Sequence, residues 1–279
     1  MLKYIVILAS ITVWLISSWT GHFADTSLKI FFLNIGQGDA ILVKSPDNKY
    51  LLIDSGPDQT VLSELSDVMP FWVRTIDLVI ATHPDADHIG GFLDISQRYT
   101  IALILYNKLD KSSKVANNLE ELWQEQGIHV KGIKADEDFT FGCCILLDFL
   151  WPLAKTDLTK LSSNDTSISF ILNYQLFSAF FGGDLGKKYE ELVAKSFGSN
   201  INVLKIGHHG SKTSTSRVFL KMMRPQLAVI SVGSKNRYQH PHKEVIDLLQ
   251  DYSIETLRTD QVGRIILNSN GREFSVGFT

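Results

Sequence analysis

The run Thr82-His83-Pro84-Asp85-Ala86-Asp87-His88-Ile89-Gly90-Gly91 decides how this chain is read. Four side chains able to bind a metal, His83, Asp85, Asp87 and His88, fall within six residues. They follow Ile76-Asp-Leu-Val-Ile-Ala-Thr82, whose β-rich apolar composition predicts a buried strand. A loop at the end of a buried strand aims its side chains into one pocket, as a metal centre requires. Imidazole together with carboxylate suits Zn, Mn or Fe, where an all-oxygen set would suit Mg or Ca. Gly90-Gly91 lets the backbone pass close to the site and enter a helix. A plain polar turn would not need this density of ligands.

Outward from that run, short β-rich segments alternate with turn signals. Residues 29–34, 40–44 and 50–54 predict strands separated by Gly36-Gln-Gly-Asp39 and Ser45-Pro-Asp-Asn48. Further strands are predicted over 101–106, 128–133, 145–151, 167–174, 178–182, 202–206 and 227–232, with helices over 111–126, 214–223 and 243–252. Residues 254–258 and 263–267 read as a closing pair of strands before the last segment, 273–278. No linker or repeat interrupts the pattern, so residues 26–279 form one domain of the α/β class, two sheets covered by helices.

Apolar residues make up 44% of the 279 positions and charged ones 20%, which excludes a disordered chain and allows a sizeable core. The net charge of −3 is unevenly spread. Residues 192–243 carry no acid but nine cations: Lys195, Lys205, Lys212, Arg217, Lys221, Arg224, Lys235, Arg237 and Lys243. Such a run is a solvated basic surface or, given the histidines within it, the neighbourhood of an anionic substrate. Cys143 and Cys144 are adjacent, and neighbouring cysteines rarely bridge. Their surroundings read as a buried strand, so packing is their expected role. At the N-terminus, Lys3 precedes an uncharged apolar run over 4–19, the pattern of a signal peptide or membrane anchor over residues 1–25. No clear cleavage site follows, which favours an uncleaved anchor. The expectation is an exported domain, tethered outside the cytoplasm, or secreted if the signal is removed.

The run 83–88 resembles the His-x-His-x-Asp-His motif of the metallo-β-lactamase superfamily, with Asp85 in place of the second His. This variant is similar to the corresponding domain of the ComEC competence proteins and its free-standing relatives. Phe32-Leu-Asn-Ile-Gly-Gln-Gly-Asp-Ala40, Leu52-Ile-Asp-Ser-Gly56, Asn164-Asp-Thr-Ser167, Phe181-Gly-Gly-Asp184, Lys205-Ile-Gly-His-His-Gly-Ser-Lys212 and Tyr238-Gln-His-Pro241 match it in order, from residue 28 to the end. The resemblance implies a four-layer αββα sandwich and a centre of two divalent ions, Zn or Mn. His83 and Asp85 would bind one ion, and Asp87 and His88 the other. Asp184 would bridge them, and His208 or His209 would complete the second, with His208 preferred. His240 is expected to touch substrate or protonate the leaving group, and Asn164, Ser167, Ser211 and Lys212 to contact substrate. Asn164 and Ser167 could equally hold the ligands. Asp39 and Asp54 are turn formers or carboxylates that orient the histidines. Asp85 for His, and Asn164-Asp-Thr-Ser where many members place a ligating His, enrich the first site in oxygen. That weakens a Zn preference, makes Mn plausible, and argues against β-lactam hydrolysis.

The leading functional expectation is a phosphodiesterase degrading DNA, by attack of a metal-bound hydroxide at a dinuclear centre. Backbone phosphates rather than bases would be gripped. The alternative is hydrolysis of a small ester, a lactone or an envelope phosphodiester such as phosphorylcholine. A non-catalytic binding module is disfavoured by the complete ligand set. Oligomeric state is not readable from the sequence.

Overall fold

Along the strand Leu28–Phe32 every apolar side chain finds cover, though successive side chains point to opposite faces. Leu28, Ile30 and Phe32 enter the core between two sheets, whereas Phe31 enters a second core under helices. The same division separates Leu51 and Ile53 from Leu52, and Leu78 and Ile80 from Val79. Strands apolar on both faces belong to a sheet covered on both sides, which explains their unbroken apolar runs.

The computed structural model describes residues 27–108, 113–198 and 200–279. Among them, one sheet of eight strands runs in the order Phe274–Phe278, Ile265–Ser269, Leu28–Phe32, Ile41–Lys44, Tyr50–Ile53, Leu78–Ala81, Ile104–Tyr106, Val130–Lys131. A second, of seven, runs Glu255–Arg258, Leu227–Ile230, Val203–Lys205, Phe177–Phe181, Ser169–Tyr174, Ile145–Trp151, Phe139–Phe141, and Thr75–Ile76 pairs with Thr100–Ile101 in a small third sheet. Phe32, Phe149, Phe170 and Phe181 pack between the sheets, with Phe170 and Phe181 stacked at 5.4 Å between centroids. Each such burial is worth about 1.5–3 kcal/mol. Helices Thr60–Val68, Phe92–Arg98 and Lys114–Glu125 cover the first sheet through Val61, Leu65, Phe92, Ile95, Leu119 and Trp123. Helices Lys187–Phe197, Arg217–Met223 and Lys243–Asp251 cover the second through Val193, Phe219, Leu220, Val245 and Leu249. The layers are helix, sheet, sheet, helix: the αββα sandwich expected.

Two sequence expectations change. Residues 254–258 and 263–267 are not a strand pair. Glu255–Arg258 extends the second sheet beside Leu227–Ile230, while Ile265–Ser269 pairs with Leu28–Phe32 in the first. Between them the turn of helix Thr259–Val262 and Gly263, at φ 75°, carry the chain across the sandwich. Cys143 and Cys144 are not buried either. They sit in an exposed turn between Phe139–Phe141 and Ile145–Trp151, with their sulfurs paired. The hairpin needs a turn at Gly142, and that places both side chains outside the apolar face. The expected N-terminal signal or anchor lies outside the described residues. Among the described residues no helix is long and apolar enough to cross a membrane.

Candidate metal centre

The strand Leu78–Ala81 ends at Thr82, and the loop after it turns into the short helix Ala86–Ile89. The chain then passes against residues 55–57: Gly91 N–H donates to Gly56 O at 3.0 Å. A Cβ on Gly90 or Gly91 would collide with the carbonyl oxygens of Pro57 and Ser55.

Asp54, at the end of the neighbouring strand, organises the histidines of this loop. Its Oδ1 accepts the Thr82 N–H, and its Oδ2 accepts both the Thr82 hydroxyl and Nδ1–H of His88, each at 2.8 Å. With its proton committed to Asp54, the Thr82 hydroxyl is left to accept Nδ1–H of His83 at 3.0 Å. Across the cleft, Nδ1–H of His209 donates to the Ser231 carbonyl at 3.0 Å. All three imidazoles therefore turn Nε2 inward. These three Nε2 atoms are buried without a hydrogen-bond partner.

Asp184 lies among them. His88 Nε2 stands 3.4 Å from Asp184 Oδ1, and His209 Nε2 stands 3.4 Å from Asp87 Oδ2 and 3.8 Å from Asp184 Oδ2. His83, His88 and Asp184 can offer three ligand atoms within 4.8 Å of one another, and Asp87, His88 and His209 form a second such group. Ligands about 2.0–2.2 Å from one tetrahedral ion are themselves roughly 3.3–3.6 Å apart. Buried imidazole nitrogens and carboxylates at that spacing fit divalent ions better than they fit hydrogen bonds.

The electrostatics agree. Burial pushes the imidazolium of His88 down, yet Asp184 and Asp54 outweigh it and hold its pKa well above the usual value. His209 is likewise opposed by burial and raised by Asp184 and Asp39 to about 9. Burial disfavours the Asp184 carboxylate, but His88 and His209 hold it well below the usual range. His83 is lowered by burial and by the charge of His88. In the metal-free protein, protons on His88 and His209 take the place a cation would fill.

Residues 49–229 match the family described as Beta-lactamase superfamily domain. The chain belongs to the β-lactamase superfamily. Its curated relatives are of the competence-protein type. It is 31% identical over 255 residues to ComE operon protein 3 of Bacillus subtilis (strain 168), covering 85% of this chain and 32% of that protein. It is 31% identical over 238 residues to Competence protein ComA of Neisseria gonorrhoeae, covering 82% and 30%. The chain thus spans about a third of the length of the curated relatives it matches. Among solved structures it is similar to CmlA, a diiron β-hydroxylase from Streptomyces venezuelae, at TM-score 0.59 and 16% identity over 87% of this chain and 54% of that one. That likeness shows the shared fold.

Within this superfamily centre the residues singled out by sequence take different places. His83, Asp87, His88, Asp184 and His209 converge. The two adjacent histidines both stand with Nε2 3.8 Å from Asp184 Oδ2 but differ in burial and in their other partners. His209 is buried with Nε2 facing Asp87 and Asp184, whereas His208 is partly exposed and its Nδ1 meets Thr213 Oγ1 at 3.0 Å. Their backbones explain the split: both residues have left-handed φ, 49° and 53°, which sends consecutive side chains apart. The split of ligands changes too. His88, rather than Asp85, shares a ligand group with His83 and Asp184. Asp85 is half-buried at the rim, 3.7 Å from His83 Nε2, and accepts the Ser163 hydroxyl.

Of the residues expected to contact substrate, Asn164 lies at the cleft with Nδ2 3.1 Å from His208 Nδ1. Ser167 is buried; its Oγ accepts Asp184 N–H at 3.0 Å and donates to Asn164 O at 2.7 Å, so it holds the ligand loop instead. Ser211 is buried and bonded to Thr213, with its hydroxyl turned into the loop, while the Lys212 side chain is exposed. His240 packs 5.4 Å from His208 and 6.5 Å from His209 between ring centroids. Burial, then the neighbouring His208, His209 and His242, lower its pKa to about 4, so at neutral pH it is an uncharged imidazole. A neutral N–H at this position can hydrogen-bond substrate.

Asp39 pairs with the buried Lys205, and its Oδ1 lies 3.4 Å from His209 Nδ1. Lys205 carried a signal that sequence reasoning passed over, a lone cation inside the apolar run Val203-Leu204-Lys205-Ile206, which needs a buried partner. Glu190 was also missed. Its carboxylate accepts Thr215 N–H at 2.7 Å, and burial raises its pKa to about 8.

Proposed function

We propose that this chain is a phosphodiesterase whose substrate is DNA, and that its centre holds two divalent ions, Zn or Mn. The observation that carries this is the set of three unpartnered Nε2 atoms around Asp184, a carboxylate that also lines a cleft of about 740 Å³. That cleft is flanked by Asn164, Lys187, Lys188, His208 and Thr213. Ions in these shells would supply Lewis acidity toward a phosphoryl oxygen and a water of lowered pKa.

The chain's own residues do the rest. Asn164 and Thr213 offer hydrogen bonds at the mouth of the cleft, and Lys187 and Lys188 offer charge to backbone phosphates. Arg237 and Lys212 extend the cationic surface of the acid-free stretch 192–243. Neutral His240 can donate one N–H to a non-bridging oxygen. The competence-type relatives support DNA as the polyanion. The N-terminal run 4–19 supports a domain held at a membrane outside the cytoplasm.

Turnover of end-labelled DNA and of a small chromogenic phosphodiester, compared across a salt series, tests this reading. Cleavage of DNA that weakens with salt, with a slope reduced by Lys187→Ala/Lys188→Ala, is the expected result. Salt-independent turnover of the small ester with DNA untouched would move the assignment to an envelope phosphodiester.

A further inference from the structure

The metal centre lies at one end of the sandwich, and the opposite end carries an apolar surface of its own. Asp54 and Thr82 follow the strands Tyr50–Ile53 and Leu78–Ala81, so the starts of those strands lie at the far end. Strand pairing places Leu28 beside Ser269 and Lys29 beside Lys44 at that same end. The turn at Leu176 is tied there too, since Leu176 N–H donates to Gly271 O at 2.7 Å. Each strand is only four or five residues long, so the two ends are roughly 15 Å apart.

At this far end Phe71, Trp72 and Leu176 are 78%, 70% and 76% exposed. Phe71 and Trp72 stand edge to face at 4.9 Å. Trp72 flanks a hollow also lined by Lys44, Lys49 and Tyr50. Arg74 and Arg272 are exposed nearby in sequence or at the neighbouring turn. The acids nearby are Asp77, which accepts Lys49 Nζ and Tyr50 N–H at 2.9 Å, Asp47, which accepts the Ser45 hydroxyl, Asp67, which pairs with Arg264 at 2.9 Å, and the exposed Glu273.

The described chain begins at Ser27, at this end, and the 26 residues before it contain the uncharged apolar run 4–19. A chain that leaves a bilayer would reach the domain here. Aromatic side chains with a polar edge collect at headgroup depth, and cations beside them favour an anionic leaflet.

We propose that this end of the sandwich lies against an anionic lipid bilayer, with Phe71 and Trp72 inserted at headgroup depth and the metal cleft directed away from it. The proposal rests on the reading of residues 4–19 as a membrane anchor and does not depend on the substrate.

The full-length chain, reconstituted in mixed phosphatidylcholine and phosphatidylglycerol vesicles, tests it through Trp72 fluorescence. Subtracting the emission of Trp72→Phe isolates this side chain from the other tryptophans, and its exposure makes the variant safe for folding. The expected result is loss of most of the Trp72 emission to brominated lipid and protection from aqueous iodide. Quenching by iodide and not by bromolipid overturns the proposal. So does protection from both quenchers with a cross-linked dimer, which would assign the surface to a second copy. Hydrolysis by Trp72→Phe reports separately on the metal centre.

Discussion

Asp54 Oδ2 lies 2.8 Å from His88 Nδ1, and through this one bond a carboxylate buried beneath the centre sets which nitrogen of His88 faces Asp184. The same oxygen takes the Thr82 hydroxyl, which in turn accepts from His83. One side chain thus orients two imidazoles. Partners of this kind typically contribute 10–100-fold to metal affinity. Asp54→Ala is expected to weaken Mn²⁺ or Zn²⁺ binding by about that factor, read by competition with a chelating dye. Unchanged affinity would show that packing alone orients the rings.

His209 and His208 provide a paired test. His209→Ala removes a buried nitrogen that faces Asp87 and Asp184, and should lower metal stoichiometry. His208→Ala removes a partly exposed ring beside Asn164 and Thr213, and should leave stoichiometry intact while lowering kcat. Elemental analysis of both purified variants decides between the two histidines.

Removing the ions should give the protein a distinctive pH dependence. His209 titrates at about 9 in the folded metal-free state against 6.5 in the unfolded chain. A group raised on folding contributes stability that is complete below 6.5 and is lost as pH rises toward 9. His88, also raised, acts in the same direction, while His83, lowered, opposes them below 6.5. The Tm of chelator-treated protein should therefore fall as pH rises from 6.5 to 9. Near neutral pH, ion binding must displace the protons on His88 and His209, so its calorimetric heat should depend on the ionisation enthalpy of the buffer.

Lys205 and Asp39 form a buried ion pair under His209. Taking one member away strands a charge in the interior, which costs about 3–5 kcal/mol. Lys205→Ala should lose that much in denaturant unfolding, and adding Asp39→Asn should recover part of it. A Lys205→Ala protein of wild-type stability would mean that Asp39 finds another cation.

The loop 82–91 was legible because its ligands are consecutive and follow a strand recognisable from composition alone. Two covered sheets were legible for the same reason: strands such as Leu78–Ala81 are apolar at every position. What escaped depends on contacts between distant parts of the chain. Asp39 and Lys205 are 166 residues apart, and nothing local joins them. His208 and His209 differ through backbone angles that their neighbours impose, not through their own chemistry. Ser167 has the composition of a substrate-contacting residue, but it turns its hydroxyl to Asp184 N–H once the two loops meet. Cys143 and Cys144 were misplaced because the apolar residues beside them hid a turn at Gly142.

Asp184 lies 3.4 Å from His88 Nε2 and 3.8 Å from the Nε2 atoms of His208 and His209, so its removal tests the centre most directly. The measurement is cleavage of end-labelled single- and double-stranded DNA by the wild type and by Asp184→Asn, across a titration of Mn²⁺ into metal-free protein. Cleavage that appears with added ion, saturates near two equivalents and vanishes in the variant is the predicted result. Cleavage that survives chelation, or that Asp184→Asn performs at the wild-type rate, would contradict the account.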